Sequence, residues 1–476
     1  MSEAVPMPLW TAGEAAGATG GRTTPGWAAT GVSIDSRSLD SGDLFVAIKG
    51  TRDGHEFVAD ALANGAAAAV VSRHPTGVAA DAPLLHVDDT LAALNALGVA
   101  SRARASGHIV AVTGSVGKTS TKEALRLAFG CQARTHASEA SYNNLWGVPL
   151  SLARMPADAA FGIFELGMNH AGELGPLAKL VRPHVAIVTT VEPAHLAYFK
   201  NVAEIAAAKA EIFDGLEPGG IAILNRDNPY FRQLADAALG RGAARVLGFG
   251  ANAEAWARLV SVAPGATASM VTAEIGGRTI AYKINAPGRH WVMNSLAVLA
   301  TVGALGADLG RAGMALADLT PLRGRGQRHV VPFGGGTIEV IDESYNASPA
   351  SMRAAIATLG AAAPGARGRR IAALGDMLEL GPHSPRLHAQ LAGAIAEAAI
   401  DLVFAAGPDM AHLDAALPAA RRALHVEKSA ELVAPLIAAL RPGDVVMVKG
   451  SLGSRMGPVV AALLAFDGKP ELMRAG

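Results

Sequence analysis

The strongest chemical signal in the sequence is a glycine-rich loop that joins an apolar run to a helical pattern. Residues 108–120 read HIVAVTGSVGKTS. Glycines let backbone N–H groups point at phosphate oxygens, and a helix that starts there adds the positive end of its dipole. The sequence therefore predicts that ATP or GTP is bound by Thr113, Gly114, Ser115, Val116, Gly117, Lys118 and Thr119.

Within this loop the lysine and the threonine have distinct predicted roles. Lys118 can supply a positive charge to the phosphates, and the hydroxyl of Thr119 can ligate Mg²⁺. Val112 stands where the general G-x-x-x-x-G-K-[ST] pattern has its first glycine, so the loop is a variant of that pattern.

A second lysine stands on the apolar face of a helical pattern. Residues 203–213 read AEIAAAKAEIF, and positions three and four apart share a helix face, so Lys209 lies with Ile205, Ile212 and Phe213. Charged residues are rarely fully buried unless they are paired. Taken alone, the segment favours a lysine whose stem covers apolar surface while its ammonium reaches water.

The order of the predicted elements indicates an α/β protein of three domains. Short β-rich apolar runs alternate with helical patterns, which is typical of parallel α/β layers. We expect the first domain at residues 1–106, a central P-loop ATPase domain with a parallel sheet at 107–326, and a Rossmann-like domain at 327–476. A hairpin turning at Gly276 and Gly277 and a helix at 349–360 belong to this prediction.

Composition excludes several classes of function. Lys+Arg and Asp+Glu are both 41, so the formal net charge is zero and nothing indicates a nucleic-acid-binding surface. The single cysteine, Cys131, excludes an internal disulfide framework and fits a reducing compartment.

The start MSEAVPMPLW lacks the pattern of a signal peptide. The uncharged stretch 291–307 is short for a membrane span, and we expect a buried helix in a cytoplasmic protein.

Motifs along most of the chain resemble those of the Mur ligase family, the ATP-dependent amide-forming enzymes of bacterial cell-wall synthesis. The phosphate loop resembles that of the family's middle domain. Further resemblances lie at SYNNLWGVP (141–149), FELGMNHAGEL (164–174), AHL (194–196), AKAEIF (208–213) and GRHWVMNSLA (288–297).

Other segments are similar to one member of the family, which adds D-alanyl-D-alanine. The N-terminal segment 34–57 is similar to the family's uridine-nucleotide domain. The segments that resemble the D-alanyl-D-alanine-adding member are IDESYNASP (341–349), ALGDMLELG (373–381) and VKGSLGSRM (448–456).

This resemblance implies a reaction and its cofactors. ATP would phosphorylate the carboxylate of UDP-N-acetylmuramoyl-tripeptide, and the amine of D-alanyl-D-alanine would attack the acyl phosphate. Mg²⁺ would assist, and Lys209 would be carbamylated, which turns its ammonium into an anionic oxygen donor. The partners would be these small molecules only, with no nucleic acid and no membrane span, and the protein would be a monomer.

The resemblance also implies roles for individual residues. Lys118, His195 and Lys209 would be catalytic. The metal ligands would be Thr119, Glu165, His195 and Lys209. Besides the phosphate loop, ATP would contact Asn294, Arg325, Asp342, Tyr345 and Asn346. The uridine nucleotide and the sugar–peptide would contact Ser36, Arg37, Lys49, Asn143 and Asn144.

Three alternative functions remain open on the sequence. Two share the fold: the family member that adds the third peptide residue, which accepts a free amino acid, and a ligase like folylpolyglutamate synthase. The third is of another class, a regulatory P-loop NTPase that only binds and hydrolyses nucleotide. Such a switch has no need for the N-terminal segment 34–57.

Overall fold

The computed structural model describes residues 8–265 and 267–466. Three α/β regions, each built on one β-sheet with helices packed against it, follow one another along the chain. Within these residues the strands form sheets of five, nine and six strands and one two-stranded ribbon. The predicted α/β fold class is confirmed. The domain boundaries after residues 106 and 326 stay predictions. The prediction about a signal peptide falls largely on residues 1–7, which lie outside the described residues.

The first sheet is parallel apart from one edge strand. The neighbouring strands Gly31–Ser33 and Asp43–Val46 are parallel, so the segments after them lie at the same edge of the sheet. Ser36 and Lys49 belong to these two segments. The strands of this region span Trp10–Thr11, Arg22–Thr23, Ala28–Ala29, Gly31–Ser33, Asp43–Val46, Ala68–Val71 and Leu84–His86, and its helices span Ala12–Thr19, Val58–Ala63 and Thr90–Arg104.

The nine-stranded sheet carries the phosphate loop on an inner strand. His108–Thr113 lies between Phe161–Glu165 and Val185–Val188, all three parallel. The segments after these three strands therefore converge at one edge of the sheet, where the loop lies. The other strands span Thr135–Ala137, Ile221–Asn225, Arg245–Gly250, Ala257–Pro264, Ser269–Ile275 and Arg278–Ile284, and the helices span Lys118–Gly130, Gly147–Ala153, Leu174–Val181, Val202–Lys209, Phe231–Gly240, Arg289–Ala304 and Leu309–Ala315.

At one edge of this sheet the sequence predicted a hairpin but not the two strands that precede it. Ser269–Ile275 and Arg278–Ile284 pair antiparallel around Gly276 and Gly277, as predicted. The strands Arg245–Gly250 and Ala257–Pro264 were not predicted. The first contains two glycines and the second is mostly exposed, so neither has the apolar, β-rich pattern that marks a buried strand.

The six-stranded sheet is parallel except for an antiparallel hairpin at one edge. The helix Pro349–Gly360 has the predicted bounds, because Ser348 caps its start and proline occupies its first position. The strands span Gln327–Phe333, Gly336–Glu343, Arg370–Gly375, Leu402–Ala406, Arg422–Val426 and Val445–Lys449, and the helices span Ser384–Ala389, Leu391–Glu397, Met410–Ala416, Val433–Ala439 and Gly457–Leu464.

The uncharged stretch forms the helix Arg289–Ala304, which packs in the core of the nine-stranded sheet. Leu296 and Val298 are fully buried there, and the hydroxyl of Thr301 donates to the carbonyl of Ala297 at 2.8 Å. Across the described residues, no helix combines the length and the apolarity that crossing a membrane requires.

A buried arginine ties the first region to the second. Arg102, on the helix Thr90–Arg104, is 6% exposed. Its Nε donates to the carbonyl of Val181 at 2.8 Å, and its Nη2 donates to the carbonyl of Arg182 at 2.7 Å and lies 3.4 Å from a carboxylate oxygen of Glu217. These contacts fix the first sheet against the nine-stranded sheet.

We expect Arg102→Ala to destabilise this contact by about 2 kcal/mol, because it leaves the carbonyls of Val181 and Arg182 without their buried donor. Thermal unfolding recorded by circular dichroism measures the effect as a lower melting temperature. Arg278→Ala, at an exposed arginine of the hairpin, is the control and should leave the melting temperature unchanged. Equal melting temperatures for both variants would contradict the anchoring role.

Candidate active site at the phosphate loop

The phosphate loop has the backbone that its glycines permit. Gly114 has φ +151°, and a Cβ there would lie 1.9 Å from Oγ1 of Thr189. Gly117 has φ +87°, and a Cβ there would lie 2.9 Å from the side-chain amide of Asn294. Thr189 also donates to the carbonyl of Val116 at 2.5 Å. Larger residues at the two glycine positions would displace the neighbours that hold the loop in place.

The loop presents a lysine and two hydroxyl side chains. Nζ of Lys118 donates to the carbonyl of Gly114 at 2.7 Å, and burial lowers the pKa of Lys118 below its ordinary value. Oγ of Ser115 donates to the carbonyl of Glu192 at 3.0 Å. Thr119 is 2% exposed at the start of the helix Lys118–Gly130. Phosphate oxygens would stabilise the charged form of this partly buried lysine.

A cavity of about 610 Å³ opens at the loop and is closed from the other side by the C-terminal sheet. The nine-stranded region contributes residues 115–120 and the segments after two neighbouring strands. The C-terminal region contributes residues from four separate segments. Among these are Tyr345, Asn346, Ser351, Leu378, Glu379, Lys449 and Leu452. The cavity is thus shared between two domains, which is a common place for a ligand site.

Glu165 provides the clearest metal-ligand candidate. It ends the strand Phe161–Glu165, is 1% exposed and lines the cavity. Its Oε1 accepts a hydrogen bond from Nδ2 of Asn143 at 2.7 Å, whereas its buried Oε2 has no hydrogen-bond partner. A buried carboxylate oxygen without a partner is costly unless a cation binds there.

The donor set fits Mg²⁺ held jointly with phosphate. Among the described residues, no group of three or more His, Cys, Asp or Glu side chains is arranged to hold a metal ion. Mg²⁺ usually binds one or two protein carboxylates and completes its shell with phosphate oxygens and water. Glu165 and Thr119 offer the hard oxygen donors that this mode requires.

Lys209 is buried, so the interpretation in which its ammonium reaches water is wrong. It ends the helix Val202–Lys209, which tightens into a 3₁₀ turn at Ala210–Gly215, and it is 2% exposed. Its neighbours Ile205 and Ile212 belong to the same apolar core. Burial lowers the pKa of Lys209 well below its ordinary value, and the charge of Lys118 lowers it further. Both effects favour a neutral amine.

Four of the residues predicted to contact ATP outside the phosphate loop line the cavity, namely Asn294, Arg325, Tyr345 and Asn346. Asn294 adjoins Gly117, and the guanidinium of Arg325 stacks over the ring of Tyr345 at 4.0 Å. Nη2 of Arg325 also donates to Oγ of Ser141 at 3.1 Å, which joins the C-terminal region to the nine-stranded one.

Asp342 is not among the residues that line the cavity. Its carboxylate accepts hydrogen bonds from the backbone N–H of Gly324 at 2.9 Å and from the hydroxyl of Ser344 at 2.6 Å. This buried aspartate therefore holds the turn that carries Arg325 and Tyr345, and its carboxylate is occupied by protein donors. Contact with ATP stays an untested prediction for Asp342.

Two more predicted residues, Asn143 and Asn144, have different surroundings. Asn143 lines the cavity beside Glu165, whereas Oδ1 of Asn144 accepts from the backbone N–H of Gly147 at 2.9 Å, at the start of the helix Gly147–Ala153. The side chain of Arg37 is 84% exposed and pairs with Asp35 at 2.7 Å. Ser36, Arg37 and Lys49 lie in the segments that follow strands of the first sheet, and none of them lines this cavity.

Comparison with known proteins agrees with this geometry. Residues 112–302 match the Mur ligase middle domain, residues 324–452 the Mur ligase glutamate ligase domain, and residues 28–102 the Mur ligase family catalytic domain. The chain belongs to the Mur ligase family. Its domain matches cover most of the nine-stranded sheet, the C-terminal sheet and most of the first sheet.

Individual Mur ligases resemble the chain over nearly its whole length. UDP-N-acetylmuramoyl-tripeptide–D-alanyl-D-alanine ligase of Escherichia coli is 35% identical over 91% of this chain and 93% of its own. The ligase of the same name from Rickettsia prowazekii is 32% identical over 90% of this chain and 94% of its own.

Solved structures of Mur ligases are similar as well. A crystal structure of MurF from Acinetobacter baumannii has a TM-score of 0.82 and 29% identity, covering 96% of this chain and 99% of that one. MurF from Thermotoga maritima in complex with ADP has a TM-score of 0.75 and 26% identity, covering 94% of this chain and 98% of that one.

One residue of this Mur ligase that sequence reasoning missed is Lys122, which is fully buried one turn after the phosphate loop. Its Nζ donates to the carbonyls of Ser138 at 2.6 Å and Ala140 at 2.7 Å and pairs with Glu123 at 2.8 Å. Ala140 has φ +44°. The lysine holds the segment that carries Asn143 against the phosphate-loop helix. A charged residue on the buried face of that helix was the available signal.

A second missed residue is Lys449, which is 2% exposed and lines the cavity from the C-terminal strand Val445–Lys449. Its Nζ donates to the carbonyl of Asn346 at 2.9 Å and lies 3.3 Å from a carboxylate oxygen of Glu343. It thus adds a cation to the cavity and fixes the turn after Tyr345. Its place in the motif VKGSLGSRM was the available signal.

We expect Lys122→Met to lower kcat/KM by about 10-fold or more, because loss of the ammonium frees the segment before Asn143 and misplaced positioning groups are costly. Steady-state phosphate release measures the effect, and the melting temperature should fall as well. Lys283→Met, at an exposed lysine of the hairpin, is the control. Wild-type kcat/KM in the Lys122 variant would contradict the positioning role.

Proposed function

We propose that this Mur ligase joins D-alanyl-D-alanine to UDP-N-acetylmuramoyl-tripeptide at the expense of ATP, in the synthesis of peptidoglycan precursors. The observation that carries the proposal is the match, over more than nine-tenths of both chains, to a ligase with that name in Escherichia coli. The cavity between the phosphate loop and the C-terminal sheet supports it, because it brings the loop together with polar and cationic side chains of a second domain.

The reaction needs ATP because a carboxylate is a poor acyl donor. The terminal carboxylate of the tripeptide attacks the γ-phosphorus of ATP, which forms an acyl phosphate and releases ADP. The amine of D-alanyl-D-alanine then attacks the acyl carbon through a tetrahedral intermediate. Inorganic phosphate leaves with the C–O electron pair, and the amine gives up a proton as the amide forms. Negative charge on the transferred phosphoryl group is therefore what the site must stabilise.

Several side chains of the cavity are suited to that task. Lys118 lies at the phosphate loop, and Arg325 and Lys449 approach from the C-terminal region. The resident metal is proposed to be Mg²⁺, held by Thr119 and Glu165, and it would screen phosphate charge. Asn143 holds Glu165 in place by its hydrogen bond at 2.7 Å. Closing the cavity between two domains also keeps water away from the acyl phosphate.

Carbamylation of Lys209 is proposed as a finer feature of the same site. A neutral amine can attack CO₂ to form an N–C bond, and the amine loses a proton to solvent. Burial lowers the pKa of Lys209 well below its ordinary value and so favours the neutral amine that this step requires. The nearby charge of Lys118 disfavours a second ammonium and favours the anionic carbamate. The modification thereby removes the conflict between burial and charge.

The remaining assignments rest on the family alone. Ser36, Arg37 and Lys49 are proposed to bind the uridine nucleotide from the first sheet, where Ser36 and Lys49 come after parallel neighbouring strands. His195 is proposed as a ligand of the metal or the phosphate and lines the cavity. A cytoplasmic, monomeric protein is proposed because the substrates are cytoplasmic metabolites and the cavity is built within one chain.

Phosphate release should require ATP, UDP-N-acetylmuramoyl-tripeptide and D-alanyl-D-alanine together, because hydrolysis of ATP is coupled to formation of the acyl phosphate and its capture. The measurement is steady-state phosphate release with each substrate omitted in turn, with the amide product identified by mass spectrometry.

Two outcomes would count against the proposed function. Release that ignores both acyl donor and amine would favour a regulatory NTPase. Release with UDP-N-acetylmuramoyl-dipeptide and a free amino acid, but not with the tripeptide and D-alanyl-D-alanine, would favour the third-residue ligase. Gly117→Ala, which crowds Asn294, is the matched loop variant and should release little phosphate under any condition.

Lys209→Ala should lower kcat by about 100-fold or more, because the variant lacks the anionic group near the phosphates. Added acetate or formate should restore part of the activity by standing in for the carbamate. Turnover with and without carboxylate at about 100 mM, a concentration that can populate a weak site, measures both effects. Lys179→Ala, at an exposed lysine of the same domain, is the control. Full activity of Lys209→Ala would return this lysine to a packing role.

A further inference from the structure

We infer that Glu379 of the C-terminal region is a positioning residue that orients His195 of the nine-stranded region when the two domains close. The inference rests on the proposed ligase function and adds a residue to the machinery of that site. It is carried by a contact between two loops, one after the strand Val185–Val188 and the other after the strand Arg370–Gly375.

The two loops touch through side chain and backbone together. Nδ1 of His195 lies 2.5 Å from Oε2 of Glu379, and the backbone N–H of Ala197 donates to the carbonyl of Glu379 at 2.9 Å. A Cβ at Gly381 would lie 3.1 Å from Cα of Ala197, so a glycine permits this approach. The C-terminal loop is thus seated directly on the histidine loop.

Both residues of the pair have backbone conformations that side chains rarely adopt. His195 has φ +57° and Glu379 has φ +63°. Such conformations cost on the order of 1 kcal/mol or more each, and they persist where the surroundings determine them. Two of them facing each other across a domain boundary indicate that the contact itself is maintained.

Glu379 is anchored to its own sheet on the far side of the contact. The backbone N–H of Leu378 donates to Oγ of Ser451 at 3.0 Å, and that hydroxyl lies 3.3 Å from the carbonyl of Ala347. The loop that carries Glu379 is therefore held in place on its own side, and it presents the carboxylate to His195.

The consequence for His195 is a fixed ring. A histidine whose Nδ1–H donates to a carboxylate has Nε2 left as an acceptor or ligand, and the carboxylate sets the orientation of the ring. His195 lines the cavity, and within the described residues its hydrogen bond to Glu379 is the one that its ring makes. Because the acceptor comes from the C-terminal region, the ring is oriented only when that region is seated.

The kinetic test compares Glu379→Ala, Glu379→Gln and His195→Ala. Loss of such a carboxylate partner typically costs 10–100-fold, so Glu379→Ala should lower kcat by about that factor while KM for the UDP-substrate changes by less than about threefold. Glu379→Gln keeps an acceptor and should stay within about threefold of wild type. The double variant Glu379→Ala/His195→Ala should be no slower than His195→Ala alone, since both changes remove one interaction.

Two further variants keep the kinetic test interpretable. Glu379→Gly removes the side chain without strain at φ +63°, so it replaces Glu379→Ala if the latter does not fold. Glu427→Ala, at an exposed glutamate of the same region, should behave as wild type. A kcat indistinguishable from wild type for the folded Glu379→Ala or Glu379→Gly variant, or additive losses in the double variant, would overturn the inference.

Small-angle scattering supplies a readout that does not depend on turnover. Addition of a non-hydrolysable ATP analogue with Mg²⁺ should reduce the radius of gyration of the wild type, and by less for Glu379→Ala. An equal reduction in both would overturn the domain-closing part of the inference. If the wild type released no phosphate with the full substrate set, the proposed function would fail, whereas this scattering comparison would still decide the contact.

Discussion

The close approach of two lysines to one carboxylate that is only half-partnered is the constraint on which the rest of this structure depends. Lys118 and Lys209 lie close enough for the charge of the first to lower the pKa of the second, and burial lowers the pKa of both. Glu165 is the nearby acid, and one of its oxygens has no protein partner. Anionic phosphate and a hard cation would supply the partners that these groups lack within the protein, so the cavity is suited to a nucleotide with its metal ion.

The fold meets this constraint by aligning strand ends. His108–Thr113 has parallel neighbours on both sides, so the phosphate loop, Glu165 and Thr189 reach one edge of the sheet. The C-terminal sheet covers that edge with Lys449 and with Arg325, whose guanidinium is stacked on Tyr345. Residues from both domains line the cavity, so neither domain forms it alone. Catalysis that must exclude water from an acyl phosphate therefore requires the two sheets to meet.

Sequence reasoning succeeded where the signal is local and failed where it depends on distant partners. The phosphate loop, the helix Pro349–Gly360 and the hairpin at Gly276 are specified by neighbours in sequence, namely glycines, a capping serine and alternating side chains. Lys122 and Asp342 show the opposite case. Each is a polar residue that has, besides a near neighbour, backbone partners 16 to 18 residues away, and no periodicity reveals which carbonyl or N–H it meets. A polar residue in a motif can therefore stabilise the backbone around the site without contacting a bound nucleotide.

The contact between His195 and Glu379 extends this distinction to the mechanism. The two residues are 184 positions apart and lie in different regions, so their pairing exists only in the assembled site. A histidine near pH 7 can present either ring nitrogen, and a phosphate site needs one defined choice. Placing the deciding carboxylate on the C-terminal region makes that choice depend on closure. On the proposed mechanism, an open enzyme would hold ATP on the phosphate loop while His195 is not yet oriented. Nucleotide binding would then be separated from phosphoryl transfer until all the substrates are enclosed.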